Sequence, residues 1–436
     1  MNNLEDWLLH LEGLHPKGQA GIELGLERIR QVKAALGQVQ HCPVIIVGGT
    51  NGKGSTCAFL ENIIARAGYK AGCYTSPHLL NYNERVRVNG RPAGDDALCA
   101  AFARVEAARR AAGNVALTYF EFGTLAAWEV FAAAGVEAAI LEVGLGGRLD
   151  AVNAYEPDVS IVTTIALDHT EWLGPDRESI GFEKAGIYRT GKPALCADPQ
   201  PPQSLLDHAA AIGADLRLIG RDFGFERARG EGNENRLQWR WWCRAGEKVI
   251  KRSLAYPGLR GPTQLYNAAV ALAALEALAG KLPVTMQAIR PGLIETELVG
   301  RFQVLPGKPA IVLDVGHNPQ AIRVLADNLA DMGFFDRTHA VVGMLNDKDI
   351  EGALMPLKGK VDFWHAATLT GVRGTNSETL AAIIERAQLG GEVFCHTSPA
   401  AAMQVAKGRA AESDRIIVFG SFYTVAGALQ ALRAKP

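Results

Sequence analysis

The most constraining feature of this chain is a regular alternation between short β-branched segments and longer helical patterns. Four buried strands are predicted in the first half, at residues 43–49, 70–75, 138–143 and 159–166. Helices are predicted after residue 53, where apolar residues recur at three- and four-residue spacing, and near 95–112, 121–134 and 263–280. Because parallel strands are joined by crossover helices, this alternation predicts an α/β fold with a mostly parallel sheet.

A second alternating block begins after Gly300 and predicts a self-contained, Rossmann-like α/β domain. Its predicted strands are 310–315, 339–344, 361–366, 391–396 and 415–420, and its predicted helices include 319–332 and 376–388. We therefore expect two domains, 1–296 and 297–436. The segment 291–309 contains three prolines and three glycines, and we expect the hinge there.

Residues 222–256 have a different composition, rich in charges and aromatic residues with partial alternation. This pattern predicts a small antiparallel addition to the first domain. Arginines between Trp239, Trp241 and Trp242 also fit a stacking platform for single-stranded nucleic acid. With 45 Lys+Arg against 46 Asp+Glu, the formal charge of −1 favours a sheet with one aromatic face over that platform.

Targeting and redox signals point to a cytoplasmic protein. The seven cysteines are scattered and show no metal-binding CxxC spacing. The first residues carry acids where a signal peptide needs a basic region, and no apolar run approaches the ~18 residues that span a bilayer. We expect no membrane and no nucleic-acid partner.

The strongest local motif is VIIVGGTNGKGSTCAFLENII, a strand followed by a glycine-rich turn and a helix. Its glycines allow backbone N–H groups to surround an anion, Lys53 adds a positive charge, and Ser55 or Thr56 offers a hydroxyl for magnesium. This predicts a P-loop-type triphosphate site. The motif departs from a standard Walker A sequence, because Val47 replaces the leading glycine and Gly54 separates Lys53 from Ser55.

Further polar residues follow other predicted strands, at the end of a parallel sheet where ligands bind. Glu142 ends one strand and could hold magnesium or be a capped or solvated acid. His169, after Asp168, could be a metal ligand or a structural hydrogen-bonding residue. Ser76 is a ligand or a turn former, and Lys184 is a functional residue or a surface lysine.

Together these motifs resemble the Mur ligase superfamily and, within it, the folylpolyglutamate synthase/dihydrofolate synthase family. The matching motifs follow the order of the family along nearly the whole chain. They are GTNGKGS (49–55), TSPHL (75–79), LEVGLGGRLDA (141–151), ALDHTEWLG (166–174), EKAGI (183–187), NAA (267–269), GRFQ (300–303), DVGHNP (314–319) and GSF (420–422). One departure is Gly316, where the family usually has alanine.

The resemblance implies an ATP-dependent ligase that adds L-glutamate to dihydropteroate and to reduced folates through an acyl phosphate, with two Mg²⁺ ions. The implied catalytic residues are Lys53, Glu142, His169, Lys184 and His317. The implied ATP contacts are Thr50, Asn51, Gly52, Lys53, Gly54, Ser55, Asn267, Arg301 and Asp314. The implied metal ligands are Ser76, Glu142, His169, Ser55 and Lys184 as a carbamate.

The resemblance also implies substrate contacts. Members that use dihydropteroate bind it through two segments that this chain contains, Ile22, Glu23, Leu24 and Gly25 in the first and Thr118, Tyr119, Phe120 and Glu121 in the second. His317 and Ser421 are the implied glutamate contacts. A carbamate on Lys184 would supply anionic oxygens for Mg²⁺, whereas a salt bridge to Glu183 or a phosphate contact are the alternatives.

Other readings stay open at this stage. They are a folylpolyglutamate synthase without dihydropteroate activity, a Mur-type ligase of a peptidoglycan precursor, a nucleotide-dependent switch or motor, and a non-enzymatic binding module. LGLERI (24–29) leads directly to the P-loop strand with no uridine-nucleotide domain before it, which argues against the Mur-type ligase. A switch does not explain Glu142, His169 and Lys184 together. We expect a monomer that acts on small molecules.

Overall fold

A computed structural model describes residues 1, 3–16, 21–227 and 238–433. The chain divides into two compact units. The first comprises Met1–Ala166, Thr170–Gly258 and Leu265–Thr296, and the second comprises Leu167–His169, Leu259–Gln264 and Glu297–Pro436. Within the described residues, every helix is too short or too polar to cross a membrane.

The first unit contains an eight-stranded, mostly parallel sheet in the order β4-β3-β2-β5-β1-β6-β7-β8. The short strands β3 and β4 are antiparallel, and the other neighbours run parallel. The strands are Val44–Gly48 (β1), Ala71–Tyr74 (β2), Val86–Val88 (β3), Arg91–Pro92 (β4), Ala138–Glu142 (β5), Val159–Val162 (β6), Pro193–Cys196 (β7) and Asp215–Leu218 (β8). The central strands are completely buried, as their β-branched sequences predict.

The helices of this unit pack against the sheet or on one another. They are Leu4–Leu14 (α1), Glu27–Leu36 (α2), Lys53–Arg66 (α3), Asp95–Ala111 (α4), Tyr119–Ala134 (α5), Thr170–Leu173 (α6), Arg177–Ala185 (α7), Gln203–Ala211 (α8), Thr263–Ala277 (α9) and Met286–Ile294 (α10). Helices α3, α5 and α8 pack against the sheet, and other helices of the unit pack on these helices or on one another. Local sequence determines several helix ends. Thr118 and Glu121 form a capping box at the start of α5, and Gly37 ends α2 in a left-handed conformation.

A small antiparallel sheet is also present, as the sequence predicts. It consists of Phe223–Arg227 (β9), Gln238–Ala245 (β10) and Lys248–Ala255 (β11), in the order β11-β10-β9. Trp239 and Trp241 are buried, and their indole N–H groups donate to Ala255 O and Ala269 O at 2.9 and 3.1 Å. Because these two rings are packed inside the protein, they cannot stack nucleic-acid bases, whereas Trp242, the third ring of that alternative, is half-buried.

The second unit has a six-stranded sheet in the order β12-β13-β17-β14-β15-β16, in which only β12 is antiparallel. Its strands are Gln303–Leu305 (β12), Ala310–Leu313 (β13), Thr338–Val342 (β14), Phe363–Ala367 (β15), Glu392–His396 (β16) and Arg415–Phe419 (β17). Its helices are Pro319–Ala330 (α11), Ile350–Leu354 (α12), Ser377–Arg386 (α13), Pro399–Arg409 (α14) and Phe422–Arg433 (α15). The prediction of a C-terminal Rossmann-like α/β domain is confirmed.

Three neighbouring strands of this sheet carry a chain of contacting imidazoles, which we call the histidine row: His339, His365 and His396. The Nδ1 atom of His339 lies 3.2 Å from Nε2 of His365, and Nδ1 of His365 lies 3.1 Å from Nε2 of His396. At the inner end, Nε2 of His339 lies 3.6 Å from Oδ2 of buried Asp414. Burial lowers the pKa of all three histidines, and that of His365 to about 3.

Two predicted boundaries need correction. Strand β6 ends at Val162 and not at residue 166, because Thr163, Thr164 and Ala166 bond to the glycine-rich loop. The predicted hinge segment 291–309 is not a uniform linker. It begins inside α10 and includes β12, so only 295–302 lie outside regular structure between these two elements.

Candidate active site

Parallel register brings the predicted motifs of the first unit to one edge of its sheet. Val47 of β1 is paired with Glu142 of β5, and Gly48 is paired with Val162 of β6. The glycine-rich loop after β1 therefore lies between Glu142 on one side and the segment after β6 on the other. This is the edge at which open α/β sheets bind ligands.

The glycine-rich loop is held closely by its surroundings. Gly49 has φ +135°, and a Cβ added there would lie 1.9 Å from Thr163 Oγ1. Gly52 has φ +92°, and a Cβ there would lie 2.4 Å from the side-chain oxygen of Asn267. Lys53 folds back over the loop and donates to Gly49 O and Thr50 O at 3.0 and 3.3 Å. The loop thus needs glycine at both positions and presents a lysine ammonium at the start of α3.

The residues after β6 fix the shape of this loop. Thr50 N donates to Thr164 O at 2.6 Å, and the Thr50 hydroxyl lies 3.1 and 3.2 Å from the N and O atoms of Ala166. The hydroxyls of Thr163 and Thr164 both donate to Asn51 O, at 2.7 and 3.1 Å. Sequence reasoning did not identify Thr163 or Thr164, although their position directly after a buried strand was a usable signal.

Glu142 is almost completely buried at the end of β5, and its Oε2 accepts a hydrogen bond from Ser76 N at 3.1 Å. A buried carboxylate beside a phosphate loop fits a divalent cation. Among the residues with described positions, no three His, Cys, Asp or Glu side chains are gathered as a ligand set. Magnesium bound here would thus take most of its oxygen ligands from phosphates, hydroxyls and water, as Mg²⁺ commonly does.

Lys184 lies at the C-terminal end of α7 and is only 4% exposed, so the surface-lysine alternative is wrong. Its neighbour Glu183 bonds instead to Arg148, with Nη2 and Oε1 2.8 Å apart. The Glu183 carboxylate, which the salt-bridge alternative paired with Lys184, is thus paired with Arg148. A buried lysine costs free energy unless its charge is compensated or removed.

An aromatic wall and a buried acid lie beside the loop that follows β5. Phe120 stacks on Tyr74 with ring centroids 5.6 Å apart, and a Cβ on Gly144 would lie 2.8 Å from the Phe120 ring. Asp150 accepts backbone hydrogen bonds from Leu145 and Val152 at 2.8 and 3.0 Å. Burial nevertheless raises the pKa of Asp150 to about 7, against the opposing effect of these amides and of the Lys53 charge.

The two segments predicted to contact the pterin are joined by Arg28. Its Nε donates to Glu121 Oε2 at 3.2 Å and its Nη2 to Glu23 O at 2.9 Å, while Nη1 pairs with the Glu23 carboxylate. Glu121 also accepts from Thr118 N at 2.7 Å, within the capping box of α5. Residues 22–25 and 118–121 are thus brought together by Arg28, a candidate residue that the sequence analysis missed.

The second unit gathers its own motifs at the carboxyl ends of β13, β17 and β14. Asp314 accepts from Gly316 N and Phe302 N at 2.7 and 2.9 Å, and burial raises its pKa despite these amides and nearby Arg301. A Cβ on Gly316 would lie 2.8 Å from Asp314 Oδ1. The glycine at 316, where the family usually has alanine, therefore stands directly against this carboxylate.

Asp168 is the centre of a charged cluster in the second unit. Lys348 Nζ lies 2.7 Å from Asp168 Oδ1, and His317 Nε2 lies 3.6 Å from Oδ2. Burial alone would raise the pKa of Asp168, but His317, His169 and Lys348 hold it well below its usual range. His169 itself has φ +52°, a conformation that non-glycine residues rarely adopt and that is often found at functional sites.

His317 and Ser421 are both bonded within the second unit. Nδ1 of His317 donates to Val315 O at 2.9 Å, which turns Nε2 toward Asp168. The Ser421 hydroxyl accepts from Thr424 N at 3.0 Å and caps α15. Ser421 thus has a structural role in addition to the predicted glutamate contact.

Comparison with known proteins agrees with these motifs. The family described as "Mur ligase, glutamate ligase domain" matches residues 300–422. The dihydrofolate synthase/folylpolyglutamate synthase of Escherichia coli K12 is 44% identical over 433 residues, covering 99% of this chain and 96% of that protein. This chain belongs to the dihydrofolate synthase/folylpolyglutamate synthase family.

Solved structures of this synthase family have the same fold. Escherichia coli FolC in complex with DHPP and ADP superposes with a TM-score of 0.88 at 44% identity, covering 99% of this chain and 98% of that one. A bifunctional folylpolyglutamate synthase/dihydrofolate synthase with Mn, AMPPNP and L-glutamate bound has a TM-score of 0.87 at 44% identity, covering 100% and 99%. The expected fold class and the expected family are confirmed.

The predicted site residues of this synthase are divided between the two compact units. Thr50 to Ser55, Ser76, Glu142, Lys184 and Asn267 belong to the first unit, whereas His169, Arg301, Asp314, His317 and Ser421 belong to the second. Lys348 was missed, although LNDKD (345–349) follows a predicted strand in the way that the other motifs do. Its role depends on a contact with Asp168, 180 residues away in sequence.

Proposed function

We propose that this chain is an ATP-dependent ligase that joins L-glutamate to dihydropteroate, giving dihydrofolate, and to reduced folates, giving folylpolyglutamates. The observation that carries this proposal is 44% identity over nearly the whole chain to a protein with both activities in its name. The complete glycine-rich loop, with Lys53 folded over it, supports the use of ATP.

The chemistry explains why ATP is needed. A carboxylate is a poor electrophile with a bad leaving group, so the γ-phosphoryl group is first transferred to it, giving an acyl phosphate. The neutral amine of glutamate then attacks the acyl carbon, and phosphate leaves as the amide forms. No side chain acts as a nucleophile, and catalysis comes mainly from positioning and charge stabilisation. Lys53 and the loop amides are the groups placed to hold the transferred phosphate.

The first unit offers residues that fit a divalent cation. Glu142 supplies a buried carboxylate, Ser55 and Ser76 lie beside the same sheet edge, and Lys184 would add oxygens if it is carbamylated. When bound, Mg²⁺ neutralises phosphate charge and orients the oxygens that attack and leave. Relatives contain Mn with AMPPNP, which supports a divalent ion in this chain.

The remaining residue assignments are part of the proposal. Asn267, Arg301 and Asp314 are nucleotide contacts, His169 is a metal ligand, and His317 is a glutamate contact with Ser421. Residues 22–25 and 118–121 contact the pterin. We also propose that the protein is cytoplasmic and monomeric. Size-exclusion chromatography with light scattering tests the oligomeric state.

The proposal is tested by incorporation of labelled glutamate into dihydropteroate, tetrahydrofolate and a muramyl precursor in parallel, each with and without ATP. We expect ATP-dependent label in the first two acceptors. Inert dihydropteroate with extended folate would leave a folylpolyglutamate synthase only, and label in the muramyl precursor alone would indicate a Mur-type ligase.

A further inference from the structure

We infer that Arg177 and Asp198 are positioning residues for ATP, acting through the backbone of Ile165 on the glycine-rich loop. This inference rests on the proposed use of ATP. Neither residue lies in one of the motifs that carry the family resemblance. Neither is among the groups to which the proposed mechanism assigns a role. The residues concerned all belong to the first unit.

The side chains of Asp198 and Arg177 bond to the backbone N–H and C=O groups of Ile165. Ile165 N donates to Asp198 Oδ2 at 2.7 Å, and Arg177 Nε donates to Ile165 O at 3.0 Å. The ring of contacts is closed because Arg177 Nη2 donates to the same Asp198 Oδ2 at 3.0 Å. The Asp198 side chain is 5% exposed, so these hydrogen bonds are made in a largely desolvated place, where charged partners strengthen them.

The residues on either side of Ile165 hold the loop. Thr50 bonds to Thr164 O through its N–H and to both polar backbone atoms of Ala166 through its hydroxyl. In an extended chain, the N–H and C=O groups of one residue point to one edge, and those of the next residue point to the opposite edge. The segment 164–166 therefore uses one edge for Thr50 and the other for the Arg177–Asp198 pair.

The pair also connects two other parts of the site. Asp198 follows β7 at the same sheet edge, and its Oδ1 accepts from Gln200 N at 2.9 Å. Arg177 is the first residue of α7, whose last turn carries Lys184. One ion pair thus fixes the segment that supports Thr50 and the start of the helix that carries Lys184.

A displaced loop should weaken nucleotide binding far more than it weakens the fold, since small misplacements of positioning groups are costly. We expect Asp198→Asn to raise the Kd for ATP by roughly tenfold. Arg177→Lys keeps the charge but lacks the planar fork that reaches Ile165 O and Asp198 from two separate nitrogens, so it should have a similar, smaller effect. The KM for the folate acceptor should stay within about twofold in both variants, by the same argument.

The controls are Asp215→Asn and Arg217→Lys, which change an exposed ion pair with Nη2 and Oδ2 2.6 Å apart on β8 of the same unit. Nucleotide binding is measured with a fluorescent ADP analogue, so the result does not depend on which acceptor is glutamylated. An unchanged nucleotide Kd in Asp198→Asn and Arg177→Lys, with only a lower Tm, would overturn the inference and leave the pair a structural turn.

A double-mutant cycle tests the route through Ile165. Thr50→Val removes the loop hydroxyl that bonds to the backbone N and O atoms of Ala166. If Asp198 acts through this segment, the Thr50→Val/Asp198→Asn variant should bind nucleotide no more weakly than the worse single variant. Fully additive losses would show two independent effects and overturn the proposed route. Should Asp198→Asn fail to fold, the same cycle is run with Arg177→Lys, whose side chain is 40% exposed.

Discussion

The side-chain oxygen of Asn267 stands where a side chain on Gly52 would begin, 2.4 Å from the position of a Cβ. The two residues are 215 positions apart in sequence, one in the glycine-rich loop and one in α9. Asn267 therefore closes one side of the loop, and any atom added to Gly52 must displace it.

Gly52→Ala should reduce ATP binding by at least roughly tenfold while the protein stays folded, because the new methyl group forces Asn267 and the loop apart. The matched control is Gly68→Ala. Gly68 has φ +93°, close to the +92° of Gly52, but nothing lies within 4 Å of a Cβ there. Isothermal titration with ATP and thermal denaturation measure both variants. Equal losses of ATP affinity in the two would show that backbone strain, and not contact with Asn267, is responsible.

Lys53→Ala should abolish ligation with little change in Tm, since it removes a phosphate-binding charge from a partly exposed loop and not core volume. The control is Lys248→Ala, an exposed lysine in β11. Turnover is measured by labelled glutamate. Turnover of Lys53→Ala equal to that of the unmodified chain would contradict the phosphate assignment.

Lys184→Ala should lose activity, and short carboxylic acids should restore part of it by supplying the missing oxygens. Lys184→Arg should stay inactive because arginine keeps the charge but cannot be carbamylated. Electron density at saturating bicarbonate gives a second readout of the modification. A fully active Lys184→Arg, or an unmodified amine in that density, would exclude the carbamate.

Arg28→Lys should impair glutamate addition to dihydropteroate more than extension of reduced folates. A lysine keeps the charge but cannot bond to Glu23 and Glu121 together as the guanidinium does. Initial rates with each acceptor measure the ratio of the two activities. Arg30→Lys, two residues further along α2 and exposed, is the control and should leave that ratio unchanged.

The histidine row should make the protein less stable in acid. In the folded protein the pKa values of these histidines lie below the ordinary value near 6.5. At pH values between the folded and the unfolded pKa, the unfolded chain therefore binds more protons than the folded protein. The free energy of unfolding thus falls as the pH drops below about 6.5. Asp414 and Asp362 oppose this effect, and Arg409 adds to it.

Urea denaturation at pH 7.5 and pH 5 tests this dependence. His365→Phe removes the central ring, so its stability should change less between these pH values than that of the unmodified chain. His41→Phe, at an exposed histidine outside the row, should change as much as the unmodified chain. An identical pH dependence in His365→Phe would contradict the prediction.

Sequence patterns identified the residues that directly follow predicted strands. The glycine-rich loop, Glu142 and the DVGHNP motif follow strands that β-branched runs make plain, and register then places them at common sheet edges. Arg28, Arg177, Asp198 and Lys348 were missed because their partners lie far away in sequence or are backbone atoms. The burial of Lys184 was also invisible, since burial of a single lysine depends on how α7 packs.

The number of ring protons in the histidine row determines the direction of its hydrogen bonds. Three neutral imidazoles carry three N–H groups, and each of the two ring-to-ring contacts holds one, which leaves one proton for two ends. The nearby Asp414 carboxylate favours that proton on Nε2 of His339, so Nε2 is the protonated nitrogen of every ring and His396 Nδ1 is left as the outer acceptor. One further proton can be taken up at that outer nitrogen without breaking a contact, and a second cannot.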